Sequence, residues 1–419
     1  YYAIGLIILT VGLFLLPFLK LLIKEQPDIR ENIIHLYLLH LIGTVCTYFY
    51  AHKLSLLKAD QKSYIGDLFA ELFRVIQIIL QVIILLLTAN YFLYLTIQLS
   101  CNFLMMLCLA SQVDKIYPFL HQIHPKKLSK NFLETIQKDI KSLFLYRINR
   151  VIIHGTDNIL IASLVANGVQ IVGLYSNYVM IAETANMILS VITNTFTHSI
   201  GNLNTEDDIE KKERIFYCVL LICAWLYGFT CAGILCFAGN FIELWVGSEY
   251  VLGISVVAAE VLQVYIRSVH FAAYTYRITS GLFVQAKYIP LLTSAMNIVL
   301  SIWWGKIWGL FGIIFATSIA RIFTIGISDP YFVYKYVFNK NVIHYYIRYF
   351  YYLSVTVCAA YVGYLCTHFV TLSGLSGFVL TVLIFSIIFN FIYIILVAWT
   401  SEFSYICGYF KIVLFHRSC

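Results

Sequence analysis

Charged side chains inside apolar segments are the residues of this chain that could do chemistry at membrane depth. A spacing of three, four and three residues separates four of them: Arg147, Arg150, His154 and Asp157. A helix places residues at this spacing on one face. Ionisable groups within a membrane cost about 2.5–3.5 kcal/mol each, and they persist where they line a polar pathway or pair inside a bundle. The spacing therefore predicts a polar face, with Asp157 about 15 Å further along the helix than Arg147.

Three other apolar segments carry polar faces of the same kind. Their polar residues are Glu183, Asn186, Ser190, Thr193 and Thr197 in the first, Glu260, Gln263, Arg267 and His270 in the second, and Thr317, Ser318 and Arg321 in the third. Guanidinium is always charged and binds phosphate in bidentate fashion, so several inward-facing arginines indicate a phosphorylated ligand. A carboxylate near the membrane midplane suits coupling to a cation, with a proton and a sodium ion both open.

These patterns predict two sets of functional residues. The predicted substrate-binding cations are Arg147, Arg150, Arg267 and Arg321, and the predicted coupling or cavity residues are Asp157, Glu183, Glu260 and Asn186. A structural alternative stays open for both sets, because an arginine can reach lipid headgroups and a buried carboxylate can pair with a neighbouring helix. No catalytic residue and no metal site is predicted, since the eleven cysteines lack CxxC spacing and no HExxH sequence occurs.

The composition predicts an all-α protein that crosses the membrane many times. Hydrophobic residues make up 61% of the chain and charged residues 12%, whereas soluble domains have about 25% charged residues. A bilayer core needs roughly 20 apolar residues per helix. Twelve stretches qualify, at 1–19, 33–51, 68–88, 91–112, 145–166, 170–200, 215–238, 251–275, 286–304, 308–327, 346–366 and 375–398.

The positions of lysine and arginine predict the orientation of these stretches. Nearly all of them fall in the connections that follow the even-numbered stretches and in the C-terminal tail, whereas the opposite connections hold only Lys20, Lys24, Arg30 and Lys306. The positive-inside rule therefore places the C-terminus in the cytoplasm. Because this topology accounts for the net charge of +7, we predict no nucleic-acid partner.

A weak internal repeat predicts two helical lobes. PFLKLLIK at 17–24 and NFIELWVG at 240–247 end the first and seventh stretches in a similar pattern. Carriers often consist of such repeats with the binding site between them, so we expect two pseudo-symmetric lobes around a central cavity. On this alignment two further helices precede Tyr1, which gives fourteen in the whole protein. The predicted division is an N-terminal lobe lacking its first two helices (1–112), a cytoplasmic amphipathic linker (113–143), a six-helix C-terminal lobe (144–338) and an additional helix pair with a cytoplasmic tail (339–419).

Several segments carry a resemblance to one family. They are GTDNILIASLVANGVQIVGLYSNYVMI (155–181), FIELWVG (241–247), SGLFVQAKY (280–288), MNIVLSI (296–302) and GLFGIIFAT (309–317). The chain resembles the bacterial polysaccharide repeat-unit flippases, the Wzx-like O-antigen and capsule transporters. The resemblance implies the fold of the multidrug/oligosaccharidyl-lipid/polysaccharide exporter superfamily. It further implies a non-enzymatic function, the translocation of polyprenyl-pyrophosphate-linked oligosaccharide repeat units across the inner membrane for O-antigen, capsule or exopolysaccharide synthesis, and it supports a role for Asp157 most directly.

The partners expected from the resemblance are lipid-linked oligosaccharide, membrane lipids, a polysaccharide polymerase and glycosyltransferases, and no cofactor is expected besides the coupling ion. Two alternatives stay open, a multidrug exporter of the same superfamily and a polytopic membrane enzyme of polysaccharide assembly. An exporter of cationic drugs is expected to have fewer arginines in its cavity. A polymerase is expected to have a large extracytoplasmic loop, and the predicted connections on that side are all short.

Overall fold

The computed structural model describes residues 2–18, 32–60, 62–121, 155–204, 206–367 and 374–415, which form helices and turns without strands. The helices are α1 (Tyr2–Leu15), α2 (Ile33–Ala59), α3 (Ser63–Thr88), α4 (Tyr91–Ile116), α5 (155–164), α6 (Gly168–Leu203), α7 (Ile209–Trp245), α8 (Ile254–Val269), α9 (Phe271–Thr279), α10 (Phe283–Ala286), α11 (Ile289–Phe323), α12 (Ile325–Val333), α13 (Ile343–Thr367), α14 (Gly374–Val397) and α15 (Ser401–Phe415).

The described residues contain nine helical spans that are long and apolar enough to cross a membrane, of which Ile254–Thr279 includes both α8 and α9, and the segment Tyr2–Phe18 is apolar but shorter. One of the nine, Ile289–Phe338, contains two of the predicted stretches, 286–304 and 308–327. The predicted stretch at 145–166 is described only from residue 155, so Arg147, Arg150 and most of the predicted linker lie outside the described residues. The predicted all-α, multi-pass architecture is confirmed.

The chain divides into two compact units, 1–137 and 138–419. In the first unit α2 packs against α1, α3 and α4, with a small buried core around Leu57 and Val113. Beside this core the Tyr117 hydroxyl donates to Asp60 Oδ2 (2.6 Å), and Lys62 pairs with the same carboxylate (2.7 Å). The hydrogen bond with Lys62 lowers the pKa of the Asp60 carboxyl. The finer division predicted from the sequence stays a prediction.

In the second unit α7 is the central helix, and α6, α8, α13 and α14 pack against it. Phe216 of α7 is buried edge-on against the rings of Tyr276 and Phe338. Trp225 Nε1, further along α7, donates to Asn390 Oδ1 of α14 at 2.9 Å. The pair α13 and α14 therefore belongs to the same packed core as α6–α9.

The helix α11 consists of two antiparallel arms, 289–308 and 310–323, which fold back on each other at Gly309. This glycine has φ 58° and ψ −135°, a backbone conformation that is unfavourable for residues with a Cβ atom. Asn297 and Thr317 are 2.7 Å apart across the arms, whereas a straight helix would separate them by about 30 Å. A Cβ on Gly312 would lie 2.2 Å from the Trp304 carbonyl oxygen, so the arms touch directly after the turn. The prediction of two separate stretches here is confirmed.

A tight turn connects α5 to α6 and fixes the register of the two helices. Asn167 has a left-handed backbone with φ 53°. A Cβ on Gly168 would lie 2.4 Å from the Ile161 carbonyl oxygen, so only glycine fits this turn. The turn brings α6 back beside α5, where Ile161 and Tyr175 share a small buried core.

Candidate functional site

Asp157 on α5 is the buried end of a hydrogen-bonded chain in the second unit. The Thr317 hydroxyl, on the second arm of α11, donates to Asp157 Oδ2 at 3.3 Å. Asn297, on the first arm, donates from Nδ2 to Thr317 Oγ1 at 2.7 Å and lies 3.4 Å from Ser301 Oγ. Asp157, predicted from sequence, thus contacts the second arm of the α11 hairpin directly and is linked to the first arm through Thr317.

Two buried oxygen atoms near this hydrogen-bonded chain are unpartnered within the described part of the protein. Asp157 Oδ1 and Asn297 Oδ1 are buried and have no hydrogen-bond partner among the residues that the structure describes. Ser301 Oγ, which accepts from Asn297, donates to the Ile313 carbonyl oxygen at 3.4 Å. The hydroxyl and the carbonyl are two further oxygen atoms near this chain. An unsatisfied buried acceptor costs about 1–3 kcal/mol, and carboxylate, amide and carbonyl oxygens are ligands that hard cations prefer. A cluster of three His, Cys, Asp or Glu residues suited to a metal is not found in the described part of the chain.

Arg267 on α8 and Glu183 on α6 form the more open part of the site. Arg267 Nη2 lies 2.8 Å from Glu183 Oε1, and Asn186 Nδ2 donates to Glu183 Oε2 at 3.2 Å. The side chain of Arg267 is 24% exposed and that of Glu183 is 46% exposed. The pair is therefore accessible, so an anionic ligand could compete with Glu183 for the guanidinium of Arg267.

Glu260 and Arg321 are two further buried members of the predicted set. The Tyr175 hydroxyl of α6 donates to Glu260 Oε2 at 2.5 Å. Arg321 lies on the second arm of α11, and its Nε has no hydrogen-bond partner within the described ranges. It interacts electrostatically with Asp157 and with Glu260. Arg321 is thus a buried cation held by nearby carboxylates without a direct ion pair in the described part of the chain.

Five of the predicted residues form one electrostatic network, which we call the charged cluster. Its members are the carboxylates Asp157, Glu183 and Glu260 and the guanidiniums Arg267 and Arg321. Among the described residues this cluster holds one carboxylate more than it holds guanidiniums. One bound monovalent cation or one proton would balance it.

A second buried ionic group lies at the junction of α8 and α9. Asp329 of α12 is 2% exposed; its Oδ2 lies 2.9 Å from His270 Nε2 and its Oδ1 lies 3.0 Å from Arg277 Nε. This group ties α12 to both helices of the interrupted segment. His270 belongs to a polar face predicted from sequence, but Asp329 was not predicted. Its one sequence signal is an acidic residue before Pro330 within an apolar run.

The structure brings together six of the eight residues predicted for the site, and the other two, Arg147 and Arg150, lie outside the described residues. Sequence reasoning missed Tyr175, Asn297 and Ser301, which hold or extend the predicted carboxylates. Neutral polar residues in apolar helices are common, so they gave no distinguishing signal. The segment MNIVLSI does show Asn297 and Ser301 one helical turn apart, which is the pattern that places both on one face.

These features define a multi-pass helical membrane protein with a cluster of charged side chains among its helices. The fold is similar to that of a solved structure, the lipid II flippase MurJ in its inward closed conformation. The likeness has a TM-score of 0.63 at 15% sequence identity and covers 94% of this chain and 82% of that chain. The search of family models and the search of curated proteins gave no match.

Proposed function

We propose that this protein is a flippase that moves a polyprenyl-pyrophosphate-linked oligosaccharide from the inner to the outer leaflet of a bacterial cytoplasmic membrane. The observation that carries the proposal is the charged cluster, with Arg267 and Arg321 among the helices of a fold similar to that of a lipid II flippase. The finer substrate, a repeat unit of a surface polysaccharide, rests on the sequence resemblance of segments such as 155–181.

The physical need for such a protein lies in the charged pyrophosphate group. Its transfer through about 30 Å of hydrocarbon without compensation is prohibitive, so a carrier must replace its water with fixed donors. Arg267 is accessible and paired with Glu183, and its guanidinium could exchange that carboxylate for phosphate oxygens. Arg321 adds positive potential behind it, and Arg147 and Arg150 remain predicted members of the same set.

We infer further that Asp157 couples transport to a cation. The supporting observations are the unpartnered oxygens of Asp157 and Asn297 within the described residues and the excess of one carboxylate in the charged cluster. A bound sodium ion would be held by oxygens of Asp157, Asn297, Ser301 and Thr317, and a proton would reside on the Asp157 carboxylate. Either cation balances the charge of the cluster.

The cellular setting of the proposal is the inner membrane, with the C-terminus in the cytoplasm. Glycosyltransferases would supply the lipid-linked oligosaccharide on the cytoplasmic side, and a polysaccharide polymerase would consume it on the other side. Neither acts as part of this chain, for which we propose no catalytic residue.

A deletion strain complemented with variants tests the function. Loss of the gene is expected to abolish the surface polysaccharide while lipid-linked repeat units accumulate in the inner leaflet. Arg267→Ala is expected to restore little transport and Arg267→Lys part of it, because lysine keeps the charge but not the bidentate geometry. The matched control is Lys211→Ala, which removes an exposed cation paired with Glu206 near the start of α7. It is expected to restore transport fully.

The readout separates the competing functions. A deletion strain that keeps its surface glycan and becomes sensitive to cationic drugs would show a multidrug exporter instead. Accumulation of lipid II in place of repeat units would show that lipid II, the substrate in the name of the structural neighbour, is also the substrate of this protein. Equal complementation by Arg267→Ala and the unaltered protein would remove Arg267 from the binding residues.

A further inference from the structure

A groove between α2 and α4 of the first unit has a lining that differs from the charged cluster. Its volume is about 220 Å³, and its nine lining residues include neither a carboxylate nor a lysine or arginine. The polar residues of the lining are His40, Thr44, Thr47, Gln98 and Asn102. A groove of this kind offers hydrogen bonds without charge.

The helices place these side chains in the middle of the membrane-spanning segments. His40, Thr44 and Thr47 lie 7 to 14 residues into the span Ile33–Leu57, and Gln98 and Asn102 lie 7 and 11 residues into Tyr91–Ile116. At 1.5 Å per residue these positions are about 10–20 Å from the start of each helix. Water is scarce at that depth, so the groups need another partner.

Three of these side chains retain their full capacity for hydrogen bonding. The side chains of His40, Gln98 and Asn102 make no hydrogen bond with the residues that the structure describes. Thr44 and Thr47 donate to backbone carbonyl oxygens, at 2.9 Å and 2.7 Å, and keep their oxygens as acceptors. The two amides and the imidazole therefore present donors and acceptors together in one groove.

The remaining lining is apolar and brings the two helices close. Leu39, Leu95 and Leu99 complete the groove. Gly43 permits this approach, because a Cβ at that position would lie 3.3 Å from Leu99 Cδ1. A pyranose ring has the matching surface, with hydroxyl or acetamido groups at its edge and C–H groups on its faces. The groove is smaller than the roughly 300–1,000 Å³ of pockets for drug-sized ligands, which suits a single sugar ring.

We propose that the groove between α2 and α4 binds a sugar ring of the transported lipid-linked oligosaccharide through Gln98 and Asn102. This inference rests on the proposed function and assigns it a carbohydrate subsite. The absence of charge from the lining separates this subsite from residues that bind the pyrophosphate, so removal of its amides affects only ligands that carry sugars.

Binding of two lipids to the purified full chain tests the proposal. The probes are the lipid-linked repeat unit extracted from the deletion strain and polyprenyl pyrophosphate without sugar. Gln98→Leu and Asn102→Leu are each expected to weaken binding of the repeat-unit lipid by about fivefold, as expected for a lost neutral hydrogen bond. Binding of the sugar-free lipid is expected to stay unchanged, which also shows that the variants fold. Gln112→Leu, the same substitution on α4 outside the groove, is the matched control.

Each remaining outcome overturns the inference in a recognisable way. Weaker binding of both lipids would show that the groove holds the headgroup, and unchanged binding of both would show that it holds neither part. Equal affinity of the unaltered protein for the two lipids would show that sugars add nothing to binding. Failure of the unaltered protein to bind either lipid would overturn the proposed function, and this inference with it.

Discussion

Thr317 is the residue that links the two arms of α11 to Asp157. Its Oγ1 accepts a hydrogen bond from Asn297 at 2.7 Å, and its hydroxyl donates to the Asp157 carboxylate at 3.3 Å. Because one hydroxyl serves both contacts, its orientation depends on the charge of Asp157. A cation bound to the carboxylate would therefore change the hydrogen bonds of Thr317 and Asn297, which lie on the two arms of the hairpin.

Removal of the Asp157 charge is expected to abolish coupling while leaving the protein inserted. Asp157→Asn is nearly isosteric, so expression and membrane insertion should stay at the level of the unaltered protein. Hydrogen bonds to charged groups contribute about 1.5–3 kcal/mol, so transport should fall by about tenfold or more. Transport into vesicles, measured against sodium concentration and pH, should lose its dependence on the coupling cation. A variant that transports normally would leave Asp157 with a structural role only.

A threonine pair supplies the matched control for this measurement. Thr317→Val should weaken the response to the cation, because it removes the hydroxyl between Asn297 and Asp157. Thr230→Val should have no effect, since within the described ranges the Thr230 hydroxyl bonds only the backbone carbonyl oxygen of Leu226 in its own helix. Equal effects of the two substitutions would indicate a general cost of the change and no special role of Thr317.

Sequence spacing found the charged residues of the site and missed their neutral partners. The carboxylates and arginines stand out because a charge in an apolar segment is costly and needs a reason. Their partners are distant in the chain: Asp157 and Thr317 are 160 positions apart, and Tyr175 and Glu260 are 85 apart. Helical periodicity reports which residues share a face of one helix, and it contains no information on which helices pack together.

At the scale of helices, the ionic group at Asp329 holds an interrupted segment in place. One residue, His270, separates α8 from α9, and Asp329 of α12 contacts His270 at this junction and Arg277 in α9. A buried carboxylate between two basic side chains cannot be removed without leaving them uncompensated. The group thus ties α12 to both α8 and α9 through electrostatics.

Loss of the Asp329 charge is expected to destabilise the second unit strongly. Asp329→Asn leaves Arg277, which is 5% exposed, without its carboxylate, and breaking a buried pair costs about 3–5 kcal/mol. Thermal denaturation in detergent should show a clearly lower midpoint. Glu206→Gln is the control, because it breaks an exposed pair with Lys211 that contributes about 0–1 kcal/mol. A midpoint equal to that of the control would show that Arg277 is compensated in another way.

Helices were predicted well from apolar length, whereas their ends were not. The stretch predicted at 215–238 is the 37-residue helix α7, which continues through charged residues such as Lys212. Hydropathy falls where a helix leaves the hydrocarbon, but the backbone hydrogen bonds continue, so apolar length underestimates such helices.

At the scale of the whole molecule, α7 provides a test of orientation that uses one helix only. Its start carries Lys211, Lys212 and Arg214, and its end is followed by the acidic Glu249. The helix is about 55 Å long, so its two ends lie on opposite sides of a 30 Å hydrocarbon core. The positive-inside rule then predicts that the Lys211 end faces the cytoplasm.

Two reporter cysteines on a cysteine-free background are expected to label differently in intact cells. Ser248→Cys, exposed beyond the end of α7, should react with an impermeant thiol reagent. Asp207→Cys, exposed before the start of α7, should react only after permeabilisation. The reverse pattern would invert the predicted orientation, and labelling of both in intact cells would show that α7 does not span the membrane.

For the proposed transport, the excess of one carboxylate among the described residues of the charged cluster predicts a step that depends on voltage. A membrane potential of 100 mV does about 2.3 kcal/mol of work on one elementary charge that crosses the full field, which corresponds to about fiftyfold in an equilibrium. The field acts on the cation-free cluster, whose carboxylates outnumber its guanidiniums in the described part of the chain. A bound cation cancels this force. Voltage would therefore set the rate of whichever half of the cycle runs without the cation.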